Sequence, residues 1–226
     1  MSLAGRLPPV IAIDGPSASG KGTVAQKVAQ RLGFHYLDSG ALYRLVALEA
    51  LRTRVGLDDD IGLARLAGAL DADFKGDEII MNQEFVTDSI RSEQVSAAAS
   101  RVAALGAVRQ ALIARQRGFR RPPGLVADGR DMGSVIFPDS VLKIYLTADP
   151  EERARRRYKQ LIEKGMDANI TALLQDIQHR DERDSARAVA PLQKSDDASL
   201  LDTTRLTIDA AVEQVLARYA AAIQVP

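Results

Sequence analysis

The stretch from Val10 to Thr23 constrains this chain more than any other. It reads Val-Ile-Ala-Ile-Asp-Gly-Pro-Ser-Ala-Ser-Gly-Lys-Gly-Thr. Its first five residues are mostly apolar and predict a buried strand, while Gly15 and Gly20 bracket a loop that ends in Lys21. A helix-like run follows at once, from Val24 to Leu32. A strand, a glycine-rich loop with a terminal lysine and a helix, in that order, predict a site for phosphate groups.

The chemistry of such a loop comes from its backbone. Small residues let N–H groups converge on phosphate oxygens, the helix N-terminus adds positive potential, and Lys21 reaches the β and γ phosphates. Gly22 departs from the usual pattern, in which Ser or Thr follows the lysine and holds magnesium; here the hydroxyl comes one residue later, at Thr23. The alternative is a structural glycine-rich turn. We expect ATP, accompanied by Mg²⁺, as the phosphate donor. The residues expected to bind ATP are Gly15, Pro16, Ser17, Ala18, Ser19, Gly20, Lys21, Gly22 and Thr23.

Composition excludes several classes of protein. The 226 residues carry 30 Lys and Arg against 30 Asp and Glu, so no net basic field indicates a nucleic-acid polymer as partner. Cysteine is absent, and no apolar run approaches the ~20 residues that span a bilayer. Neither Asn82 nor Asn169 is followed by Lys, which excludes the guanine-reading motif of GTPases. We expect a cytoplasmic monomer without membrane contact.

Strand-like and helical runs alternate along the chain, which predicts an α/β fold with a parallel sheet wound by helices. Ligands then gather at the carboxyl ends of the strands, where Gly15, Asp38 to Gly40 and Asp128 to Asp131 are expected. The predicted strands are Val10–Ile13, Phe34–Leu37, Leu125–Asp128, Val141–Leu146 and Leu200–Asp202.

Two segments interrupt this rhythm. Asp71 to Arg91 is short, polar and strand-like, with strands predicted at 78–81 and 84–87 and turns at 76–77 and 82–83. We interpret it as a small β insertion. Glu151 to Lys164 predicts one helix rich in basic residues, which are Arg153, Arg155, Arg156, Arg157 and Lys159.

Three clusters could carry chemistry. Ser39 either caps the helix that follows the second strand or, with Arg44, binds a second phosphate. Asp128, Arg130 and Asp131 end a buried strand, where a carboxylate can orient metal-bound water, although an ion pair at a tight turn gives the same pattern.

The third cluster is Arg180, Arg183, Asp184 and Arg187, which share one face if residues 169–188 are helical. A salt-bridged, solvated helix explains such a run equally well, as it explains the arginines from Arg153 to Arg157. Phosphoryl transfer, however, needs several cations around the moving group.

Four signatures together resemble the bacterial cytidylate kinases over nearly the whole chain. They are Ile-Asp-Gly-Pro-Ser-Ala-Ser-Gly-Lys-Gly-Thr, Leu-Asp-Ser-Gly-Ala-Leu-Tyr-Arg, Ala-Asp-Gly-Arg-Asp-Met-Gly and Arg-Ala-Val-Ala-Pro-Leu. The resemblance implies transfer of the ATP γ-phosphate to CMP or dCMP. It also explains Gly22, because Gly-Lys-Gly-Thr is usual in nucleoside monophosphate kinases, where magnesium is held largely through phosphates and water.

The resemblance also implies a three-layer fold of the P-loop NTPase type and a division of roles. A CORE of residues 8–65, 93–150 and 186–226 would carry a monophosphate-binding insertion at about 66–92 and an arginine-rich lid at about 151–185. Catalysis would fall to Lys21, Asp128, Arg130, Arg156 and Arg157. Ser39, Arg44 and Arg130 would hold the acceptor phosphate, with Arg187 beside them. Arg180 and Asp184 would contact the ribose, Ser100, Arg109 and Asp131 would read the base, and Tyr43 would also contact the acceptor.

The base assignment has a physical basis. Cytosine presents an amino donor at N4 and an acceptor at N3, and uracil reverses the two. Asp131 can accept from the amino group and Arg109 can donate to the ring, so uracil would leave both side chains facing the wrong partner.

Three rival functions differ in specific residues. Adenylate kinase shares Gly-Lys-Gly-Thr, but its Asp-Gly-Phe-Pro-Arg motif is replaced here by Asp-Gly-Arg-Asp-Met-Gly. A kinase of sugars or shikimate-like acids needs neither the β insertion nor a pair of arginines suited to a monophosphate. A module that senses ATP without transferring phosphate needs no second phosphate site.

Overall fold

The computed structural model describes residues 7–75, 78–163, 165–187 and 189–224. They form two compact units, one from the described residues of Met1–Leu37 and Gly118–Pro226, the other from those of Asp38–Arg117. Among the described residues, none of the helices combines the length and hydropathy that a membrane span requires.

The strands of the described chain are β1 (Val10–Asp14), β2 (His35–Asp38), β3 (Ala72–Lys75), β4 (Glu78–Met81), β5 (Glu84–Phe85), β6 (Leu125–Gly129), β7 (Leu142–Thr147) and β8 (Ser199–Asp202). The α-helices are α1 (Lys21–Leu32), α2 (Ser39–Thr53), α3 (Asp60–Gly68), α4 (Glu93–Val102), α5 (Gly106–Arg117), α6 (Pro150–Glu163), α7 (Ile170–Ser185) and α8 (Ile208–Gln224).

The first unit is built on a five-stranded sheet with the strand order β2-β6-β1-β7-β8. The pairs β1–β6, β1–β7 and β7–β8 are parallel. β1 and β6 are buried along almost their whole length, and strands buried on both faces read as continuous apolar runs. The predicted α/β class and P-loop NTPase-type architecture, a parallel sheet flanked by helices, are confirmed.

The core of this unit lies between the sheet and the helices α1 and α8. The ring of Tyr219 meets that of Phe34 edge to face, with centroids 5.8 Å apart. Each Val or Ile buried there contributes about 1.5–3 kcal/mol relative to an exposed position. Its members include Ile11, Ile13, Val24, Val28, Val126, Ile144, Val212 and Val215.

The second unit combines four α-helices and a short 3₁₀ helix (Ser89–Arg91) with a three-stranded sheet of order β3-β4-β5. Its strands pair antiparallel. Asn82 and Gln83, between β4 and β5, have φ values of 50° and 68°, the left-handed pair that a tight hairpin turn requires. The predicted turn at 82–83 is therefore confirmed, whereas the one predicted at 76–77 lies outside the described residues.

The prediction of a strand over 84–87 was too long. β5 ends at Phe85, because the backbone pairing with β4 is incomplete beyond it. Val86 still donates its N–H to the carbonyl of Ile79 at 2.9 Å. The N–H of Ile79, however, donates to the hydroxyl of Thr87 at 2.8 Å. A side chain has replaced the backbone acceptor. The structure adds β3, which completes the insertion as a sheet.

Helix boundaries also differ from those expected. α1 begins at Lys21, three residues before its apolar run, because the glycine-rich loop leads directly into the first turn. α7 ends at Ser185, so Arg187 lies beyond it, and Ala188 and Lys164 lie outside the described residues. The structure confirms Gly33 as the C-cap of α1, with φ 66°, and the start of α6 at Pro150 with Glu151 and Glu152 in its first turn.

Candidate active site

The loop between β1 and α1 requires glycine at two positions. A Cβ on Gly15 would lie 1.9 Å from the carbonyl oxygen of Leu146, a distance that no side chain tolerates. Gly20 is the N-cap of α1 and has a φ of 90°, in the left-handed region that favours glycine. The loop therefore delivers the N–H groups of the first turn of α1, which have no acceptor within the helix, to one place.

Side chains from distant parts of the chain hold the loop by its carbonyl groups. Arg153 donates from Nη1 to the carbonyl oxygen of Ser17 at 3.1 Å. The carbonyl oxygen of Ser19 accepts from Arg156 Nη1 and from the hydroxyl of Thr203, both at 3.1 Å. These bonds fix the orientation of the peptide groups. Sequence reasoning assigned no specific role to Arg153 and missed Thr203 altogether, because neither lies near the loop in the chain.

The loop hydroxyls differ in their partners. Ser19 is fully buried and donates to the carbonyl of Pro16 at 3.0 Å. The hydroxyl of Ser17 is also buried, but it has no hydrogen-bond partner within the described chain. An unpaired buried hydroxyl is costly, and a phosphate oxygen would satisfy it. The residues present therefore fit a bound polyphosphate.

Lys21 and Asp128 lie close together at the N-terminus of α1. The ammonium of Lys21 lies 3.7 Å from Oδ1 of Asp128, and the hydroxyl of Tyr36 donates to Oδ2 at 3.4 Å. A Cβ on Gly22 would lie 3.1 Å from the same Oδ2. Glycine at this position leaves room for the carboxylate, which accounts physically for the departure from Ser or Thr.

Asp14, at the end of β1, fastens the loop that follows β6. Its two carboxylate oxygens accept from the backbone N–H groups of Met132 and Gly133 at 2.8 and 2.9 Å. Burial, partly offset by those two bonds and reinforced by Asp131 and Asp128, raises the pKa of Asp14 to about 7. The loop so held carries Asp131, which is 3% exposed. The sequence analysis assigned Asp14 no function.

Asp184 joins two arginines that the sequence analysis grouped with it. Its Oδ2 accepts from Nε of Arg130 at 2.9 Å, and its Oδ1 accepts from Nη2 of Arg187. Burial alone would raise the pKa of Asp184, but the charges of Arg130 and Arg187 outweigh it and lower the pKa to about 2. Asp184 also raises the pKa of Arg130 against the effect of burial. The three groups therefore form a charged cluster with net positive charge, here called the arginine clamp.

The expected helical face around this clamp is only partly formed. Arg180 is half-buried on α7 and contributes to the field at Asp184. Arg183 is exposed and does not join the cluster. Arg187 lies beyond the end of the helix, so it reaches Asp184 from the following loop and not from a shared helical face. The condition for one shared face from Arg180 to Arg187, a helix over residues 169–188, is therefore not met, because α7 ends at Ser185.

The two lid arginines expected at the transferred phosphate have different surroundings. Arg156 donates from Nη2 to the carbonyl of Thr203 at 2.6 Å and from Nε to Glu152 at 3.0 Å, in addition to its bond to Ser19. Its guanidinium therefore supports the phosphate loop from outside. Arg157 is half-buried on the same helix.

In the second unit, α2 is capped by Asp38 and not by Ser39. The carboxylate of Asp38 accepts from the N–H of Ala41 at 3.1 Å. Ser39 is the first helical residue and is 4% exposed, so the interpretation of its hydroxyl as the cap was wrong. Nη2 of Arg44 would lie 3.9 Å from a Cβ on Gly40, which shows that its guanidinium lies over the first turn of α2.

Three expected acceptor residues also lie in the second unit. Arg109 is 6% exposed, lies 5.7 Å above the ring of Tyr43 and donates to the carbonyl of Ala103 at 3.0 Å. The hydroxyl of Ser100 is buried and has no hydrogen-bond partner among the described residues. A buried arginine on an aromatic face and an unsatisfied hydroxyl suit a polar, planar ligand.

Known proteins give an independent comparison. The family model described as cytidylate kinase matches residues 11–221. A cytidylate kinase of Chromobacterium violaceum is 60% identical over 208 residues, covering 92% of this chain and 94% of that protein. One from Pseudomonas aeruginosa is 59% identical over 214 residues, covering 92% and 93%, and one from Nitrosomonas europaea is 56% identical over 214 residues, covering 95% and 96%.

Solved structures support the fold. An uncharacterized protein from Eubacterium ventriosum superimposes with a TM-score of 0.53 at 11% sequence identity, over 94% of this chain and 99% of that chain. At this identity the similarity concerns the architecture alone.

Proposed function

We propose that this chain, which belongs to the cytidylate kinase family, transfers the γ-phosphate of ATP to CMP or dCMP and releases ADP with CDP or dCDP. Membership of this family makes the chain a nucleoside monophosphate kinase that uses ATP as its phosphate donor. The proposal rests above all on one observation: the arginine clamp of Arg130, Asp184 and Arg187 belongs to the same compact unit as Lys21 and the phosphate loop. Kinases need both a binding site for the phosphates of the donor and a positively charged binding site for the acceptor phosphate.

The donor is held by the loop from Gly15 to Thr23. Backbone N–H groups and the N-terminus of α1 bind the β and γ phosphates, and the buried hydroxyl of Ser17 takes a phosphate oxygen. Lys21 moves from Asp128 towards the phosphates as they bind, because the triphosphate outweighs one carboxylate 3.7 Å away.

A magnesium ion bound with ATP would be held mainly by phosphate oxygens and water. The protein groups suited to it are the carboxylate of Asp128, acting through water, and the hydroxyl of Thr23 in the first turn of α1. When bound, such an ion would supply positive charge that offsets the charge developing on the transferred group. One carboxylate and one hydroxyl are too few ligands for a cage made by protein alone, so the donor set fits this division.

In the first unit, Arg130 and Arg187 are the groups proposed for the acceptor phosphate, and the resemblance adds Ser39 and Arg44 of the second unit. Asp184 orients both guanidinium groups, because it accepts from each on a separate oxygen. Its pKa of about 2 keeps it ionised throughout the working range of pH. Arg180 and Asp184 serve the ribose, and Tyr43 supports the guanidinium of Arg109.

Recognition of the base is assigned, as the resemblance implies, to Ser100 and Arg109 of the second unit and to Asp131 of the first. Asp131 accepts from the N4 amino group of cytosine, and Arg109 with Ser100 contacts the acceptor edge of the ring. All three side chains are at least nine-tenths buried, so a mismatched base leaves a desolvated polar group without a partner.

Transfer itself needs positioning and charge stabilisation. Lys21, Arg130 and Arg157 surround the moving group with positive charge, and Arg156 holds the loop. Asp128 would hold metal-bound water near the group. Division into a CORE, a monophosphate-binding insertion and a lid, closure of that lid, a monomeric state and a cytoplasmic location remain predictions from the sequence.

The proposal is tested by ADP release with ATP as donor and CMP, dCMP, UMP and AMP as acceptors. CMP and dCMP should be phosphorylated far faster than the other two. Equal rates with AMP would contradict the base assignment, and no turnover with any acceptor would favour a protein that only binds ATP. The variant Lys21→Ala serves as the catalytically impaired control.

A further inference from the structure

Arg153 is the most deeply buried arginine of α6 and lies where three elements meet. It is 3% exposed, and its guanidinium donates to an oxygen on each of them. Nε reaches the carbonyl of Ala148 just after β7 at 2.9 Å, Nη1 the carbonyl of Ser17 in the phosphate loop at 3.1 Å, and Nη2 the carboxylate of Asp181 on α7 at 2.5 Å. Burying a guanidinium is costly without such partners, and the planar fork of arginine presents its donors to all three in fixed directions.

Asp181 ties this arginine to the helix that carries the arginine clamp. It lies one residue after Arg180 and three residues, nearly one turn, before Asp184. The contact between Arg153 and Asp181 therefore fixes the rotation of α7 about its axis, and that rotation aims Asp184. Asp184 in turn orients Arg130.

Electrostatic influence follows the same path. The charge of Asp181 contributes to raising the pKa of Arg130. The phenol of Tyr145 on β7 responds to the whole group: after burial, Asp181 raises its pKa, and Arg130 and Arg153 lower it. These side chains therefore share one region of the first unit.

We propose that the Arg153–Asp181 pair couples the phosphate loop to the arginine clamp, so that ATP and the acceptor strengthen each other's binding. Arg153 acts as a positioning residue: it touches neither substrate and works through Ser17 on one side and α7 on the other. The proposal rests on the assignment of the clamp to the acceptor phosphate. Coupling between the sites is reciprocal, so one ratio of dissociation constants measures it from either side.

The test measures binding of CMP by calorimetry without and with a saturating non-hydrolysable ATP analogue. In the wild-type protein the analogue should tighten CMP binding by at least about fivefold, the lower end of typical allosteric coupling. Asp181→Asn keeps the shape of the side chain and removes its charge, so the tightening should fall to less than about twofold. Arg153→Lys retains the charge without the planar guanidinium, so its tightening should lie between those of the wild-type protein and Asp181→Asn. Arg153→Met should abolish the tightening.

Two controls separate coupling from general damage. Arg155→Met alters an arginine on the same helix that is 69% exposed and pairs with Glu152, and it should leave the tightening at its wild-type value. The double variant Arg153→Met with Asp181→Asn should lose no more than Arg153→Met alone, because the two residues act as one link.

The outcomes are distinct. An unchanged tightening in Asp181→Asn, or none in the wild-type protein, overturns the coupling while leaving the kinase activity intact. Failure of CMP to bind or to be phosphorylated by the wild-type protein overturns the proposed function instead. If Arg153→Met does not fold, Asp181→Asn decides, because its side chain is 25% exposed and the substitution opens no cavity.

Discussion

Gly22 faces the carboxylate of Asp128 so closely that a single added carbon would lie 3.1 Å from Oδ2. A residue that departs from the usual phosphate-loop pattern is thus matched to a carboxylate that comes more than one hundred residues later in the chain. Asp128 also lies 3.7 Å from Lys21, so any change at Gly22 acts on the group that holds the lysine before ATP binds.

Gly22→Ala tests this relationship. The methyl group must displace the carboxylate of Asp128 by a few tenths of an ångström, and displacements of 1 Å can cost about 10²-fold in rate. We expect kcat to fall by about two- to tenfold. Gly33→Ala is a poor control because φ is 66° there, whereas Gly68→Ala meets no atom within 4 Å and should leave kcat unchanged. A full rate in Gly22→Ala would show that phosphate transfer does not depend on the space that Gly22 leaves for the carboxylate of Asp128.

Lys21→Ala should lower kcat with every acceptor by about 10²-fold or more, because a charge aimed at the transferred group is lost. Steady-state kinetics with CMP and with dCMP check this. Lys27→Ala is the matched control: that lysine is on the same helix, is 45% exposed and pairs with Asp209 at 2.8 Å. A loss confined to one acceptor would place Lys21 at the acceptor and not at the donor.

Asp131→Asn should lose discrimination between CMP and UMP. The amide can donate where the carboxylate only accepts, so the ratio of kcat/KM for the two acceptors should fall by about 10- to 100-fold, the equivalent of one buried unsatisfied polar group. KM for ATP should not change. Asp139→Asn, at a half-exposed carboxylate paired with Arg120, should keep the wild-type ratio. An unaltered ratio in Asp131→Asn would assign base recognition to other residues.

Asp184→Asn should destabilise the protein and weaken acceptor binding together. Removal of the charge deprives Arg130 and Arg187 of the carboxylate that both of them bind, which costs about 3–5 kcal/mol for a largely buried pair. Thermal denaturation measures the first effect and KM for CMP the second. Asp197→Asn breaks the ion pair with Lys143, in which the carboxylate is 60% exposed, and should change stability by less than about 1 kcal/mol. Equal stability of the two variants would contradict the role of Asp184 as the counter-ion in the arginine clamp.

The pH dependence of stability should carry the signature of Asp14. Its pKa rises from 3.8 to about 7 on folding, so between about pH 4 and pH 7 the native carboxyl keeps a proton that the unfolded one has lost. Raising the pH through this window therefore lowers the free energy of unfolding, and the loss is complete above about pH 7.

Asp14→Asn has no such proton, so the stability of the wild-type protein relative to this variant should decline from pH 4 to pH 7 and then level off. Chemical denaturation at several pH values measures the difference. A difference that rises with pH would mean that the two backbone hydrogen bonds outweigh burial and lower the pKa of Asp14.

Much of the site was predictable because its motifs are contiguous. A strand, two glycines and a lysine within twelve residues specify the phosphate loop through local backbone geometry alone, and the structure confirms the strand, the helix and their order. The turn at Asn82 and Gln83 was predictable for the same reason, since it depends on two neighbouring residues.

Other features required the fold. The sequence analysis considered Ser39 as the cap of this helix, and only the observed start of α2 shows that Asp38 accepts the hydrogen bond from Ala41. Thr203 and Asp14 were missed because their partners are distant in the chain: Ser19 for one, Met132 and Gly133 for the other. No periodicity or spacing reports a contact between a side chain and a remote carbonyl or N–H group.

The sequence by itself determined the phosphate loop, the α/β class and the family, because each depends on local patterns of residue type. Only the tertiary structure decided what surrounds the loop. It showed that Gly22 makes room for Asp128, that Asp184 binds Arg130 and Arg187 from two directions, and that Arg153 serves the loop from within α6. These relationships join residues far apart in the chain, and their geometry exists only once the sheet and its helices have packed.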